Sequence, residues 1–224
     1  MRYTQPLPGF LEKIREIATE TGALLIFDEI TSGWRFRQGG LHLDFGISPD
    51  LAGVAKGMSN GYPMAAVLGT EESFSKMGNC FISSTYWTER IGPVAALATI
   101  EALEKRNAWS KLKDYTRAVA DSWNKWAETF RLPLEAEENG AFAFFHMKGE
   151  AAEFGTALYT QLMLEKGMLS NSSFYATLAH GPHLNEFDTA VKETFSEMAA
   201  AHEANGWEAS LRGPRSLPGF QRLT

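Results

Sequence analysis

Between residues 10 and 21 the apolar side chains Phe10, Leu11, Ile14, Ile17 and Ala18 recur at the three- and four-residue spacing of one helix face. Pro8 and Gly9 precede this run and Gly22 follows it, which is the punctuation of a helix over 10–21. Residues 23–27 then form a short unbroken apolar run ending in Asp28-Glu29. Apolarity on both faces over so few residues suits a central parallel strand sandwiched between helices. A helix feeding such a strand is half of a βαβ unit, so the chain opens as an α/β sheet.

Residues 31–50 are Gly-rich and aromatic with no period, which predicts a long functional loop. A strand is expected over 63–69, a short helix over 71–77 and a further strand over 81–84. Residues 89–105 read as a strong helix with Ile91, Ala95, Leu97, Ala98 and Leu103 near its buried side. A second long helix covers 109–130, with Leu112, Val119, Trp123 and Trp126 inside. The stretch 132–140 (LPLEAEENG) is polar and breaks the pattern, so the start of a smaller domain is placed close to it. Beyond it come a strand over 141–147, a helix over 154–166, a short strand near 173–179 and a helix over 186–205. The closing LRGPRSLPGFQRLT carries three Arg and no acid and reads as a loose or docking tail. The expected division is therefore 1–135, 136–208 and a tail over 209–224.

At 224 residues and 44% hydrophobic content the chain can bury a real core. Its charge is mixed: 21 Lys and Arg against 27 Asp and Glu, a net −6. That balance argues against a nucleic-acid partner, which favours a basic face. Cys80 is the only cysteine, so no intrachain disulfide forms and a reducing compartment is the natural reading. No apolar run approaches the ~20 residues of a membrane helix, and MRYTQPLPGF lacks the apolar core of a signal peptide. The expectation is a soluble, cytoplasmic protein with no membrane partner.

Three positions carry candidate chemistry. Asp28 directly follows the last apolar residue of a strand, and ligands of open parallel sheets bind beyond the strands' carboxyl ends. A strand-end Asp also caps turns. It equally ends a Walker B strand, where it holds Mg²⁺ in an ATPase, although G-x-x-x-x-G-K-[ST] is absent from this chain. Lys56 lies in AGVAKGMSNGYP, with small or apolar near neighbours and glycines at 53, 57 and 61. Most lysines are solvated surface groups. Such a segment instead brings backbone close to a bound group and partly desolvates the amine, which makes it a usable nucleophile. A covalent partner such as an aldehyde would account for it. The third feature is Ser83-Ser84-Thr85-Tyr86-Trp87-Thr88, whose hydroxyls and free N–H groups before a helix form an anion site. Ordinary N-capping by Thr88 is the competing reading. Together the three supply an amine, a carboxylate and a phosphate cradle, the set that pyridoxal 5'-phosphate requires.

The run from Leu24 to Gly69, LLIFDEITSGWRF…GISPDLAGVAKGMSNGYPMAAVLG, resembles the signature of the class III, fold-type I aminotransferases, including glutamate-1-semialdehyde aminomutase. The likeness continues through Ser84-Thr85-Tyr86 and more weakly to the end, where Ala179-His180 resembles the aminomutase branch. It implies the C-terminal portion of such an enzyme: part of a three-layer α/β/α large domain plus a smaller α+β domain. It implies that Lys56 condenses with the cofactor aldehyde and moves the proton between substrate Cα and cofactor C4′. Asp28 would pair with the pyridine nitrogen, and Ile30 would lie against the ring. Thr85 would bind the phosphate, reaching a neighbouring subunit's site in a homodimer, with Thr88 as an alternative. The substrate would be a small amino/keto or amino-aldehyde compound. The sequence departs from the family at Trp87-Thr88-Glu89-Arg90, where many members have Gly-Gly-Asn-Pro, and at Thr31, where Gln or Met is usual. Members carry roughly as much chain again ahead of Pro8, so this chain alone is expected to bind cofactor poorly and turn over little.

The remaining candidates are weaker. His180 and His183 flank Gly-Pro with no acid or Cys cluster beside them, so no metal site is expected. His42 and His146 carry no further signal. Trp34 and Arg35 are candidates for lining a substrate pocket, Arg35 equally for a surface ion pair. Three classes stand: amino-group transfer, a Walker B ATPase, and a non-catalytic remnant or partner subunit.

Overall fold

The structure, a computed structural model, describes residues 5–213. Most of the expected tail, 214–224, lies outside the described residues. Two compact units divide the chain, Met1–Ser110 and Lys111–Thr224.

In the first unit α1 (Phe10–Thr21) stops at Gly22, whose φ of 69° lets the Ala23 N–H close back on the Ala18 carbonyl at 2.9 Å. Next come β1 (Ile26–Glu29), a short helix α2 (His42–Phe45), β2 (Leu51–Val54) and β3 (Ala66–Gly69). β1 and β2 are parallel, and β2 and β3 antiparallel, in the order β1-β2-β3. Asp50 fixes this start. Its Oδ2 accepts the Leu25 N–H at 2.7 Å and an Arg15 N–H at 2.8 Å, tying α1 to the first residues of the sheet. The Leu25 N–H, followed by Arg15, holds the Asp50 carboxyl below the usual range.

Alternation along the strands separates two faces. The row Glu29, Val54 and Ala66 is covered: Val54 (2% exposed) packs with Met58 and Ala96, and Trp34, Met64 and Ile100 close around them. The other face is open, with Asp28 exposed and Ile26 and Val67 at 61% and 56%. Among the described residues β1 pairs in parallel as expected, stands at the end of the β1-β2-β3 order, and leaves Ile26 and Asp28 exposed on one face.

α3 (Glu71–Ser75) ends in a 3₁₀ turn, and α4 spans Ile91–Lys105. The strand expected over 81–84 does not form. Phe81 and Ile82 are 95% and 50% exposed there, and no described strand pairs with them; strand propensity needs a packed neighbour to act through. The inward side of α4 also differs from expectation. Ile91 and Leu97 are exposed, while Gly92 and Ala96 are buried. A Cβ on Gly92 would meet the Pro63 carbonyl at 2.8 Å, so close approach decides this face. A helix apolar on all sides gives no periodic clue to its orientation.

The second unit begins within α5 (Ala108–Thr129) and continues with β4 (Leu134–Glu138), β5 (Phe142–Met147), α6 (Ala151–Glu165), β6 (Ser173–Tyr175) and α7 (Leu184–Ala209). The backbone of α7 breaks from helical geometry at Gly206. The sheet is antiparallel with β5 in the middle. Trp123, Phe145, Tyr159 and Phe195 fill the core edge to face, with ring centroids 5.0 to 5.8 Å apart. The polar break at 132–140 holds β4, an element the composition concealed. Leu134 and Ala136 alternate with exposed Glu135 and Glu137, and Asn124 pairs with both the N–H and carbonyl of Ala136 at 2.9 Å. The strand expected to reach 179 stops at Tyr175, and a 3₁₀ turn containing Pro182 follows. Among the described residues no helix is long and apolar enough to cross a membrane.

Candidate active site

The carboxyl ends of the two parallel strands gather most of the expected residues. Asp28 stands opposite Gly53 in the β1–β2 ladder, and the chain reaches Lys56 three residues later. Asp28 Oδ1 accepts the Ile30 N–H at 3.0 Å, an Asx turn that directs the chain out of β1. With no side chain on Gly53, the floor beside Asp28 is clear; a Cβ there would meet only Ile30 Cγ1, at 4.0 Å. Lys56 is exposed, not desolvated as its neighbours suggested, and its Nζ donates to Thr31 Oγ1 at 2.7 Å. Its φ of 44° is left-handed, as are those of Trp34 (56°) in the loop after β1 and Asn60 (50°). Such conformations cost a few kcal/mol at most and gather at functional sites.

Glu29, to which the sequence assigned no role, anchors the loop above this floor. It is 3% exposed; its Oε2 accepts the Ser32 hydroxyl, and its Oε1 accepts the His42 backbone N–H at 2.8 Å and faces His42 Nδ1 at 2.9 Å. Burial pushes the Glu29 pKa up, but the hydrogen bonds from Ser32, His42 and Leu41 together outweigh it and leave the carboxyl below its ordinary value. Gly33 and Gly57 allow the loop to touch the lysine segment: a Cβ on Gly57 would sit 3.1 Å from the Gly33 carbonyl. Trp34 packs into the cluster of Val54, Met58 and Ala96, as a loop anchor, and its carbonyl accepts the Trp109 indole N–H at 3.2 Å. No composition signal marks Glu29 or His42; only the pairing of a strand-end acid with a later His hints at the clamp.

Thr85 is not brought to this cluster by any described contact. It lies in an exposed turn before α4. The first N–H groups of α4 are also occupied. Glu89 accepts Ile91 N–H at 2.6 Å and Gly92 N–H at 3.3 Å, so its carboxylate, and not the Thr88 hydroxyl, takes these two donors at the start of α4. His180 and His183 serve separate local roles. His180 Nδ1 accepts the Thr177 N–H at 3.1 Å, and His183 Nδ1 faces Glu186 at 2.9 Å. No metal-holding cluster of His, Cys, Asp and Glu occurs among the described residues.

Comparison with known proteins gives the chain's family and fold. The chain is 36% identical over 163 residues to the 3-aminobutyryl-CoA aminotransferase of Cloacimonas acidaminovorans, covering 70% of this chain and 39% of that protein. It is 32% identical over 213 residues to the glutamate-1-semialdehyde 2,1-aminomutase of Gemmatimonas aurantiaca, covering 88% of this chain and 47% of that one. The chain thus spans less than half the length of these curated relatives. Its fold matches the FumI protein of Sphingopyxis sp. MTA144, solved in its PLP internal aldimine form, with a TM-score of 0.81 at 20% identity over 90% of this chain and 50% of that one. An omega-transaminase from Sphaerobacter thermophilus matches with a TM-score of 0.77 at 20% identity, over 88% of this chain and 49% of that one. Both likenesses concern the fold alone: an α/β unit followed by an α+β unit, matching about half of each of those chains. The strand ending in Asp28-Glu29 lies inside the match to a family model, and that family is not the Walker B ATPases. The family model for Aminotransferase class-III matches residues 3–201, and the chain belongs to the class-III aminotransferase family.

Proposed function

We propose that the protein transfers amino groups with pyridoxal 5'-phosphate, as an aminotransferase or a glutamate-1-semialdehyde-type aminomutase, through Lys56. The observation that carries this is the placement of Asp28 and Lys56 at the carboxyl ends of adjacent parallel strands in a class-III chain. The chemistry of the residues present suits the cofactor at this end of the sheet: a carboxylate, an amine and an apolar Ile30, with no side chain on Gly53 beside Asp28. Bound there, the cofactor supplies an aldehyde and a cationic ring able to take up an electron pair.

The chain's own groups do the rest. Asp28 sets a fixed negative charge at the strand end, where a protonated ring nitrogen is stabilised. Ile30, 37% exposed beside it, offers an apolar surface to one ring face. Lys56 Nζ is the amine that accepts and returns a proton at the substrate carbon. Thr85 offers a hydroxyl for a phosphate from its exposed turn. The substrate is a small amino/keto or amino-aldehyde compound.

A homodimer with a shared site accompanies this reading. Phe81, Tyr86 and Trp87 are 95%, 78% and 67% exposed, and Ile91, Val94 and Leu97 extend the apolar surface along α4. Large exposed apolar surfaces mark interaction sites, and these side chains suit a surface covered by a second copy. We also expect the chain by itself to turn over slowly, because it spans less than half of its curated relatives. Product formation from an amino donor by the cofactor-loaded protein tests the proposal as a ratio. Lys56→Ala abolishes it if the reading holds; equal product from both proteins contradicts the reading.

A further inference from the structure

We propose that Thr31 is a positioning residue that holds the Lys56 amine at the carboxyl end of β1 and β2, from a loop fixed by the buried carboxylate of Glu29. The proposal rests on Lys56 as the reacting amine.

An exposed lysine on four rotatable bonds samples many positions, and ordering it costs side-chain entropy. Here one contact selects a position, the 2.7 Å hydrogen bond from Lys56 Nζ to Thr31 Oγ1. Thr is stiff at its first torsion, so its hydroxyl is directional where a longer polar side chain is not. The loop that presents it is held from two sides. Below, Glu29 binds Ser32 next to Thr31 and also His42 at the loop's far end, so one carboxylate closes the segment. The Gly33 N–H also returns to the Glu29 carbonyl at 2.8 Å. Beside it, the Gly33 carbonyl lies so near Gly57 that an added Cβ would stand 3.1 Å away. The loop and the lysine segment therefore share one packed contact, and Thr31 lies where both meet. The left-handed backbone of Lys56 (φ 44°) starts the side chain in a direction ordinary strand geometry does not offer, and Thr31 receives its end.

Two measurements test this. In the cofactor-free protein, lysines are reductively methylated with ¹³C-formaldehyde and followed by NMR. The Lys56 dimethylamine resonance is expected to stand apart from those of free surface lysines and to show cross-relaxation with the Thr31 side chain. It should persist in Thr31→Ser and collapse into the surface-lysine signal in Thr31→Val, which keeps shape and loses the hydroxyl. In the second measurement, borohydride trapping of pyridoxal 5'-phosphate at Lys56 slows about five-fold in Thr31→Val and is restored in Thr31→Ser, the size expected of one hydrogen bond. A wild-type Lys56 signal indistinguishable from surface lysines, or a Thr31→Val protein equal to wild type in both measurements, overturns the proposal. If the NMR signature is present but wild type traps no cofactor preferentially at Lys56, Thr31 still holds the amine and the functional reading of Lys56 is what fails.

Discussion

Asp28 and Gly53 are direct partners in the parallel β1–β2 ladder, so the exposed carboxylate looks across a strand position with no side chain. Lys56 follows at the end of that second strand. A charge, an open floor and an amine thus arise from one register, and a one-residue slip would turn Asp28 to the covered face.

Asp28→Asn keeps the shape and removes the charge. Amino transfer is expected to fall roughly 100-fold, the scale for losing one preorganised electrostatic group. Steady-state rates compared with the unfolding midpoint separate this from a folding defect, because Asp28 is exposed and the midpoint should hardly move.

Glu29→Gln is expected to destabilise the first unit by about 2 kcal/mol or more, since a buried carboxylate that accepts several donors is replaced by a group that must donate as well. The lowered pKa of Glu29 fixes the pH dependence. Its contribution is complete above the ordinary glutamate value of 4.5 and is lost as pH falls through the lower folded value. Denaturant midpoints of wild type and variant should therefore differ at neutral pH and converge in acid.

Tyr159 joins two hydrogen bonds in the second unit, accepting the Trp123 indole N–H at 3.0 Å and meeting Ser170 Oγ at 2.9 Å. Tyr159→Phe leaves a fully buried Trp123 N–H without that acceptor and should cost about 1–3 kcal/mol. Burial raises the Tyr159 pKa to about 12 from 10.0. The linked stability is present below pH 10.0 and declines as pH rises toward about 12. Unfolding free energies measured across that range should slope downward in wild type and less steeply in the variant.

The sequence made some of this legible and concealed the rest for identifiable reasons. The helix before β1 and the strand that reaches Glu29 were readable because period and punctuation agree there, whereas the small neighbours of Lys56 suggested a desolvation that its exposure contradicts. The outward face of α4 was not, because apolar residues surround that helix and only the Gly92 contact orients it. β4 hid inside a charged segment, since its alternation is carried by Leu134 and Ala136 alone. The Thr31–Lys56 and Glu29–His42 contacts join residues 25 and 13 positions apart, beyond what spacing along a chain reveals. That Glu89 takes the first N–H groups of α4 was likewise not legible, because no spacing signal sets it apart from Thr88 beside it.

Borohydride reduction in the presence of pyridoxal 5'-phosphate, followed by peptide mapping of the cofactor adduct, tests the central claim most directly. Lys56 is expected to carry the dominant label, and Asp28→Asn should weaken that preference. Label spread evenly over open lysines such as Lys105 and Lys148, whose side chains are 72% and 65% exposed, would contradict the account.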